Sequence, residues 1–242
     1  MSAAISWAAP KRPVEHAEDT LITAILDGTF PPGTTLPGER ELSAQLGVTR
    51  PTLREVLRRL EGDGWLTVHQ GKPTQVKDFW REGGLNILSG IVRHSQYLPP
   101  NFVDNLLEVR LQLAPAYTRA AMLRAPMEVA ALLIDSTDLD DTPEAYASYD
   151  WLLQHGLTVV SGNPIYTLIL NGFVGFYEDL AKRYFMLPNA RAASHTYYEA
   201  LLQAAQSANP DAAEQITHDM MLVSIRFWQQ AALQQSRRED AP

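Results

Sequence analysis

Apolar residues recur along this chain at helical spacing nearly everywhere, and the one interruption of that rhythm lies between about residues 65 and 79. The first periodic run, "VEHAEDTLITAILDGTF", stops at Asp27-Gly28 and is followed by "PPGTTLPGE", which neither helix nor strand continues through. The next stretch, "GERELSAQLGVTRPTLREVLRRLEGDGWLTVHQGKPTQVKDF", predicts a short helix from about Glu39 to Leu46, a turn at Gly47, a second helix, and two short strands. Thr49 is a capping residue type, Pro51 fits only in a first helical turn, and Gly62 and Gly64 are expected to end the second helix. "WLTV" and "TQVKDF" alternate as strands do, with "HQGKP" as their turn. Helix, turn, helix and hairpin in that order make a winged helix-turn-helix. From about Asn86 onward strand signal fades and six long segments predict six or more helices, beginning with "NFVDNLLEVRLQLA" and ending with "DAAEQITHDMMLVSIRFWQQAALQQSRR". Asn163-Pro164 and Asn209-Pro210 each read as a cap followed by a first-turn proline.

The expected fold class is therefore mainly α: an N-terminal winged helix-turn-helix with a small β-hairpin wing, then a C-terminal all-helical bundle. The boundaries read as an arm at 1–13, the DNA-binding domain at 14–78, a linker at 79–90 and the helical effector domain at 91–238.

Composition narrows the function. With 242 residues, 45% hydrophobic, 20% charged and no long apolar run or signal-like start, the chain reads as a cytoplasmic protein without a membrane segment. It has no cysteine, which excludes disulfides, thiolate catalysis and Cys-based zinc sites. The formal charge of -8 is uneven. Residues 1–80 hold 9 Lys/Arg against 10 Asp/Glu, and the remainder 11 against 18, so a polyanion finds its place only in the first third. There Arg50, Arg54 and Arg58 lie about 40° apart around one helical face, opposite Leu53, Val56, Leu57 and Leu60. In a winged helix the start of the second helix enters the major groove, where Arg50 and Arg54 can each pair two donors with a guanine. Gly71 would let the wing tip approach the duplex closely, and Lys72 would neutralise phosphate. No phosphate-cradling glycine loop, nucleophile elbow or His-x-x-x-His pair is found, so an enzyme is not expected. Asp140-Asp141 reads as a solvated loop pair.

"FPPGTTLPGERELSAQLGVTRPTLREVLRRLEGDGWL" resembles the N-terminal signature of GntR-type bacterial transcription regulators. The resemblance implies operator contacts from Arg40, Thr49, Arg50, Thr52 and Arg54 and from a wing pair at Gln70 and Gly71. Two positions depart from the pattern: Pro51 replaces a threonine, and Gln70 replaces a wing histidine, with His69 one step earlier. Further on, "FWREGGLNIL", "DNLLEVR", "SGNPIYTLILNG" and "KRYF" are similar to the FadR group of fatty acid metabolism regulators. Related helical effector domains bind metal through one Asp and three His. Here those positions are Asp150, Gln154, Tyr198 and Leu222, with His155, His195 and His218 out of phase, so no metal or other cofactor is expected.

The FadR resemblance implies a homodimer on double-stranded operator DNA, with long-chain acyl-CoA as effector, repression of fatty acid degradation and a second role in activating unsaturated fatty acid synthesis. Its ligand positions fall on Arg110, Tyr184, Tyr198, Ser224 and Trp228. Met221 replaces a glycine of that pattern and Leu233 a CoA-contacting lysine, leaving Arg226, Arg237 or Arg238 as cations for the nucleotide. Arg110 also stands out from the residues alone. It interrupts an apolar helix face and needs an anionic partner, either a ligand or Asp150. The alternatives are a regulator of the same architecture answering to a free fatty acid or another carboxylate, and an enzyme fused to a DNA-binding domain.

Overall fold

Thr49 and Gly64 set the limits of the helix on which the first half of the chain is built. A computed structural model describes residues 12–69, 71–99 and 101–239, with side chains to residue 230 except that of Ser95. It divides into two compact units between Leu98 and Pro99.

In the first unit, α1 (Pro13–Leu26), α2 (Glu39–Gln45) and α3 (Arg50–Asp63) precede a two-stranded antiparallel sheet, β1 (Leu66–Thr67) and β2 (Gln75–Val76). Leu66 pairs with Val76 and Thr67 with Gln75. Thr49 caps α3, its Oγ1 accepting from the Thr52 amide at 3.3 Å, and Pro51 lies in the first turn. Only one of the two glycines expected to end α3 does so. Gly62 lies inside the helix, whereas Gly64 adopts the left-handed conformation at φ 98° that lets Trp65 N–H close on the Leu60 carbonyl. Leu53, Val56, Leu57 and Leu60 are buried as the periodicity required, in a core shared with Leu21, Ile22, Ile25 and Trp65.

Helix α1 begins at Pro13, the last residue of the expected arm, and residues 1–11 of that arm lie outside the described residues. The stretch read as a linker holds α4 (Phe79–Glu82) and most of α5 (Asn86–Arg93). Both pack on the winged helix: the Phe79 ring meets Trp65 at 5.0 Å, and Ile87 and Ile91 are buried.

The second unit runs α6 (Phe102–Arg124), α7 (Pro126–Leu133), a 3-10 turn (Ile134–Asp138), α8 (Pro143–Val160), α9 (Pro164–Asn171), α10 (Val174–Phe185), α11 (Pro188–Gln206) and α12 (Pro210–Glu239). Helix starts follow side-chain caps. Asn163 Oδ1 accepts from the Ile165 amide at 3.1 Å, and Asn209 Oδ1 from Ala212 at 3.0 Å. The continuous apolar segment "NPIYTLILNGFVGFYEDLAKRYFM" holds two helices, separated at Gly172-Phe173. Asp141 is exposed as expected but is not merely solvated, since its Oδ1 accepts from Arg191, which holds the Asp141 carboxyl below its ordinary range. The core gathers around Tyr146, Leu153, Tyr198, Leu201 and Met221, all buried. Among the described residues no helix is long and apolar enough to cross a membrane.

Candidate nucleic-acid interface and ligand pocket

Because the apolar stripe of α3 is spent on the core, its arginines face outward. Arg50, Arg54 and Arg58 are exposed, as is Arg40 on α2. Thr49 and Thr52 hydroxyls meet at 2.9 Å, so the cap that starts the helix also presents two hydroxyls beside Arg50. Arg54 is not free: Nε and Nη2 both reach Glu39 Oε2 at 2.8 Å, and this bond raises the guanidinium pKa. Arg40, Arg50 and Arg58 have no acidic partner among the described residues, whereas Arg59 is bound by Glu55 at 2.6 Å and lies 3.7 Å from Glu18. Guanidinium groups in this setting pair with base edges, and the hydroxyls and first-turn amides with phosphate. In the wing, Gly71 has φ 73° and Lys72 is exposed, its amide closing the turn on the His69 carbonyl. Gln70 lies outside the described residues.

The second unit contains a pocket between α6, α8, α9, α10 and α12, with about 940 Å³ of atom-free space, part of it open to solvent. Its walls are mostly apolar, including Leu106, Leu107, Leu113, Ile169, Phe173 and Leu180. One polar cluster enters it. Arg110 Nη2 donates to Asp150 Oδ2 at 2.9 Å, and the Tyr177 hydroxyl donates to the same oxygen. Asp150 Oδ1 accepts from Gln154 Nε2 at 3.3 Å and the Tyr198 hydroxyl at 3.4 Å. Tyr117 in turn donates to Gln154 Oε1. The Arg110 guanidinium also lies 5.6 Å from the centre of the Tyr177 ring. Burial pushes the phenols of Tyr117, Tyr177 and Tyr198 above their ordinary range, so they remain protonated and serve as donors. Burial opposes the Arg110 charge as well, but the guanidinium is held above its ordinary range, the Asp150 carboxylate bonded to it favouring the charged form. On the far wall Tyr184 donates to Ser224 Oγ at 3.3 Å, and Ser224 to the Met220 carbonyl at 3.0 Å.

Four of the five residues singled out for a ligand, Arg110, Tyr184, Ser224 and Trp228, line this pocket. Tyr198 does not: it is fully buried between Tyr146 and Tyr149 and reaches the site only through Asp150. Met221, where the resemblance has a glycine, is core and not wall. Arg226 is exposed, and the side chains of Leu233, Arg237 and Arg238 lie outside the described ones. Sequence reasoning missed Tyr117 and Tyr177, and it singled out Gln154 only as a position where related domains have a metal ligand. Their signal was a spacing: Arg110 and Tyr117 are seven apart, as are Tyr177 and Tyr184, and Asp150 and Gln154 are four apart, each pair on one helical face.

His195 lies 3.5 Å from Glu199 and His218 3.5 Å from Asp219, while the His155 ring lies tilted against Trp151, 5.8 Å between centres. Among the described residues no group of three or more His, Cys, Asp or Glu is arranged to hold a metal ion. At Asp150 the oxygens are taken by a guanidinium, two phenols and an amide.

Residues 13–76 match the bacterial regulatory proteins of the gntR family, and residues 77–238 match the FadR C-terminal domain. The chain is 43% identical over 232 residues to a fatty acid metabolism regulator protein of Shewanella halifaxensis, covering 96% of this chain and 95% of that one. It is 45% identical over 199 residues to the protein of the same description from Edwardsiella ictaluri, covering 82% and 83%. Among solved structures it resembles Lar, which controls expression of the Listeria monocytogenes agr system, with TM-score 0.62 and 14% identity over 91% of this chain and 98% of that one. That last likeness shows the fold alone.

Proposed function

Since the chain belongs to the GntR family of bacterial regulators and carries the FadR C-terminal domain, we propose that it is a transcription regulator of fatty acid metabolism released from operator DNA by long-chain acyl-CoA. The observation that carries the effector reading is the pocket of the second unit, whose mostly apolar walls suit an acyl tail. DNA reading falls to Arg50 and Arg54 with Thr49, Thr52 and Arg40, and to the wing at Gly71 and Lys72. The protein works in the cytoplasm as a homodimer, uses no cofactor and turns nothing over.

One observation favours a second reading. A guanidinium lines the pocket, and guanidinium is the group that carboxylates seek, so a free fatty acid is the rival effector. Titrating the operator complex with a long-chain acyl-CoA and with the matching free acid decides between them. Release by the acyl-CoA at the lower concentration is expected; release by the free acid alone would give the pocket to the rival, and release by neither would remove both. Intact acyl-CoA recovered after incubation would show binding without turnover.

A further inference from the structure

The cation in the pocket is already matched. Arg110 and Asp150 form an ion pair at 2.9 Å in which the carboxylate keeps 7% of its side-chain surface accessible and the guanidinium 25%. We propose that Asp150 is a specificity-determining residue that restricts the pocket to acyl chains with an uncharged head, such as a thioester, and turns free carboxylates away. This rests on the reading that the pocket takes an acyl chain.

The argument is one of charge and of committed donors. Asp150 cannot swing aside, because Tyr177 and Arg110 hold one oxygen and Gln154 and Tyr198 the other. A fatty acid carboxylate placed beside Arg110 would therefore add a second negative charge to a pair whose sum is zero, within walls that offer no further cation among the described residues. An unpaired charge in such surroundings is strongly disfavoured. A neutral carbonyl meets no such obstacle, provided a donor is left for it. Three of the four phenols on the wall are engaged, Tyr117 on Gln154, Tyr177 on Asp150 and Tyr184 on Ser224, whereas the Tyr166 hydroxyl has no hydrogen-bond partner among the described residues. Arg110 is the charged donor with N–H groups to spare, since a guanidinium carries five of them and Asp150 takes only the Nη2 side, while the accessible part of the side chain lines the pocket. The guanidinium thus donates to the ligand while its charge is answered by the protein.

The experiment uses laurate and methyl laurate, which share a chain and differ in charge, with the full-length protein and its Asp150→Asn variant, read by calorimetry. The wild type is expected to bind the ester at least roughly tenfold more tightly than the acid. In Asp150→Asn the pair carries a net positive charge and the order should reverse. In the double variant Arg110→Gln/Asp150→Asn, again neutral, the preference for the ester should return. Equal binding of both probes by the wild type overturns the proposal whatever the variants do. So does an unchanged preference in a folded Asp150→Asn. Binding of neither probe by the wild type instead overturns the acyl reading of the pocket on which the proposal rests. Should Asp150→Asn lose its cooperative melting transition, the wild-type preference for the ester and its retention in the double variant carry the test.

Discussion

Arg54 and Arg110 are both arginines held by a carboxylate, and the setting gives the two pairs opposite consequences. The Glu39–Arg54 bond is exposed, so water and salt screen it and DNA can compete for the guanidinium. Arg50→Ala and Arg54→Ala should each weaken specific operator binding by roughly tenfold or more with the melting temperature unchanged, as filter binding at fixed salt would show. Glu39→Gln should tighten it, because Arg54 no longer has to leave a partner; weaker binding would mean that Glu39 orients Arg54 in the complex. The Arg110–Asp150 pair is enclosed, and there the residue types were legible in sequence but their roles were only partly so. Arg110 advertised itself as a charge on an apolar helical face. Tyr198 looked like a ligand contact and turned out to be core, because a tyrosine at helical spacing serves either purpose until the neighbouring helices are placed. Tyr198→Ala should accordingly cost about 3–5 kcal/mol in urea unfolding, whereas Trp228→Ala, on the pocket wall, should reduce ligand affinity with a much smaller loss of stability.

At the scale of elements, the helices with chemical punctuation were the readable ones. Thr49, Asn163 and Asn209 each stand at the start of a helix and bond to its first turn, a local signal that needs no tertiary context. The break between α9 and α10 carried no such mark. "LILNGFVGFY" is apolar on both sides of Gly172, so the period continues through the place where the chain bends. Helices α4 and α5 were missed for the complementary reason: α4 has four residues, too few to show a period, and Gly83-Gly84 reads as a flexible joint. What fixes α5 is Trp65. A Cβ built on Gly90 would lie 2.8 Å from Trp65 Cζ2 and 3.5 Å from Ile22 Cδ1, and that indole is only 1% exposed, so it has nowhere to move. Gly90→Ala should therefore destabilise the first unit by about 1–3 kcal/mol, measured by thermal unfolding. Gly84→Ala, whose Cβ would meet nothing within 4 Å, is the matched control and should change little. A harmless Gly90→Ala would mean that α5 does not stay docked in solution.

For the molecule as a whole, charge and periodicity made the two-part division legible without coordinates, because nucleic acid has to dock where the acidic excess is least. One recognition helix reads too few base pairs for useful discrimination, so the operator should be two-fold symmetric and bound by two chains. Sedimentation showing one chain on a single half-site would contradict this. The coupling between DNA and effector was not legible, since it is a difference between two states and the residues report the inventory of only one. It nevertheless obeys a constraint independent of route. If acyl-CoA lowers operator affinity by some factor, operator DNA must lower acyl-CoA affinity by the same factor, and each tenfold corresponds to about 1.4 kcal/mol of coupling. Calorimetric titration of acyl-CoA into free protein and into saturated operator complex should return that factor, matching the one obtained by titrating operator into protein with and without ligand. Trp228→Ala should shift both acyl-CoA affinities together and leave their ratio near the wild-type value if the ring only binds, or bring the ratio toward one if it also transmits the switch. Ligand affinity identical in the presence and absence of DNA would sever the pocket from the operator, leaving the second unit a binding site without a regulatory output.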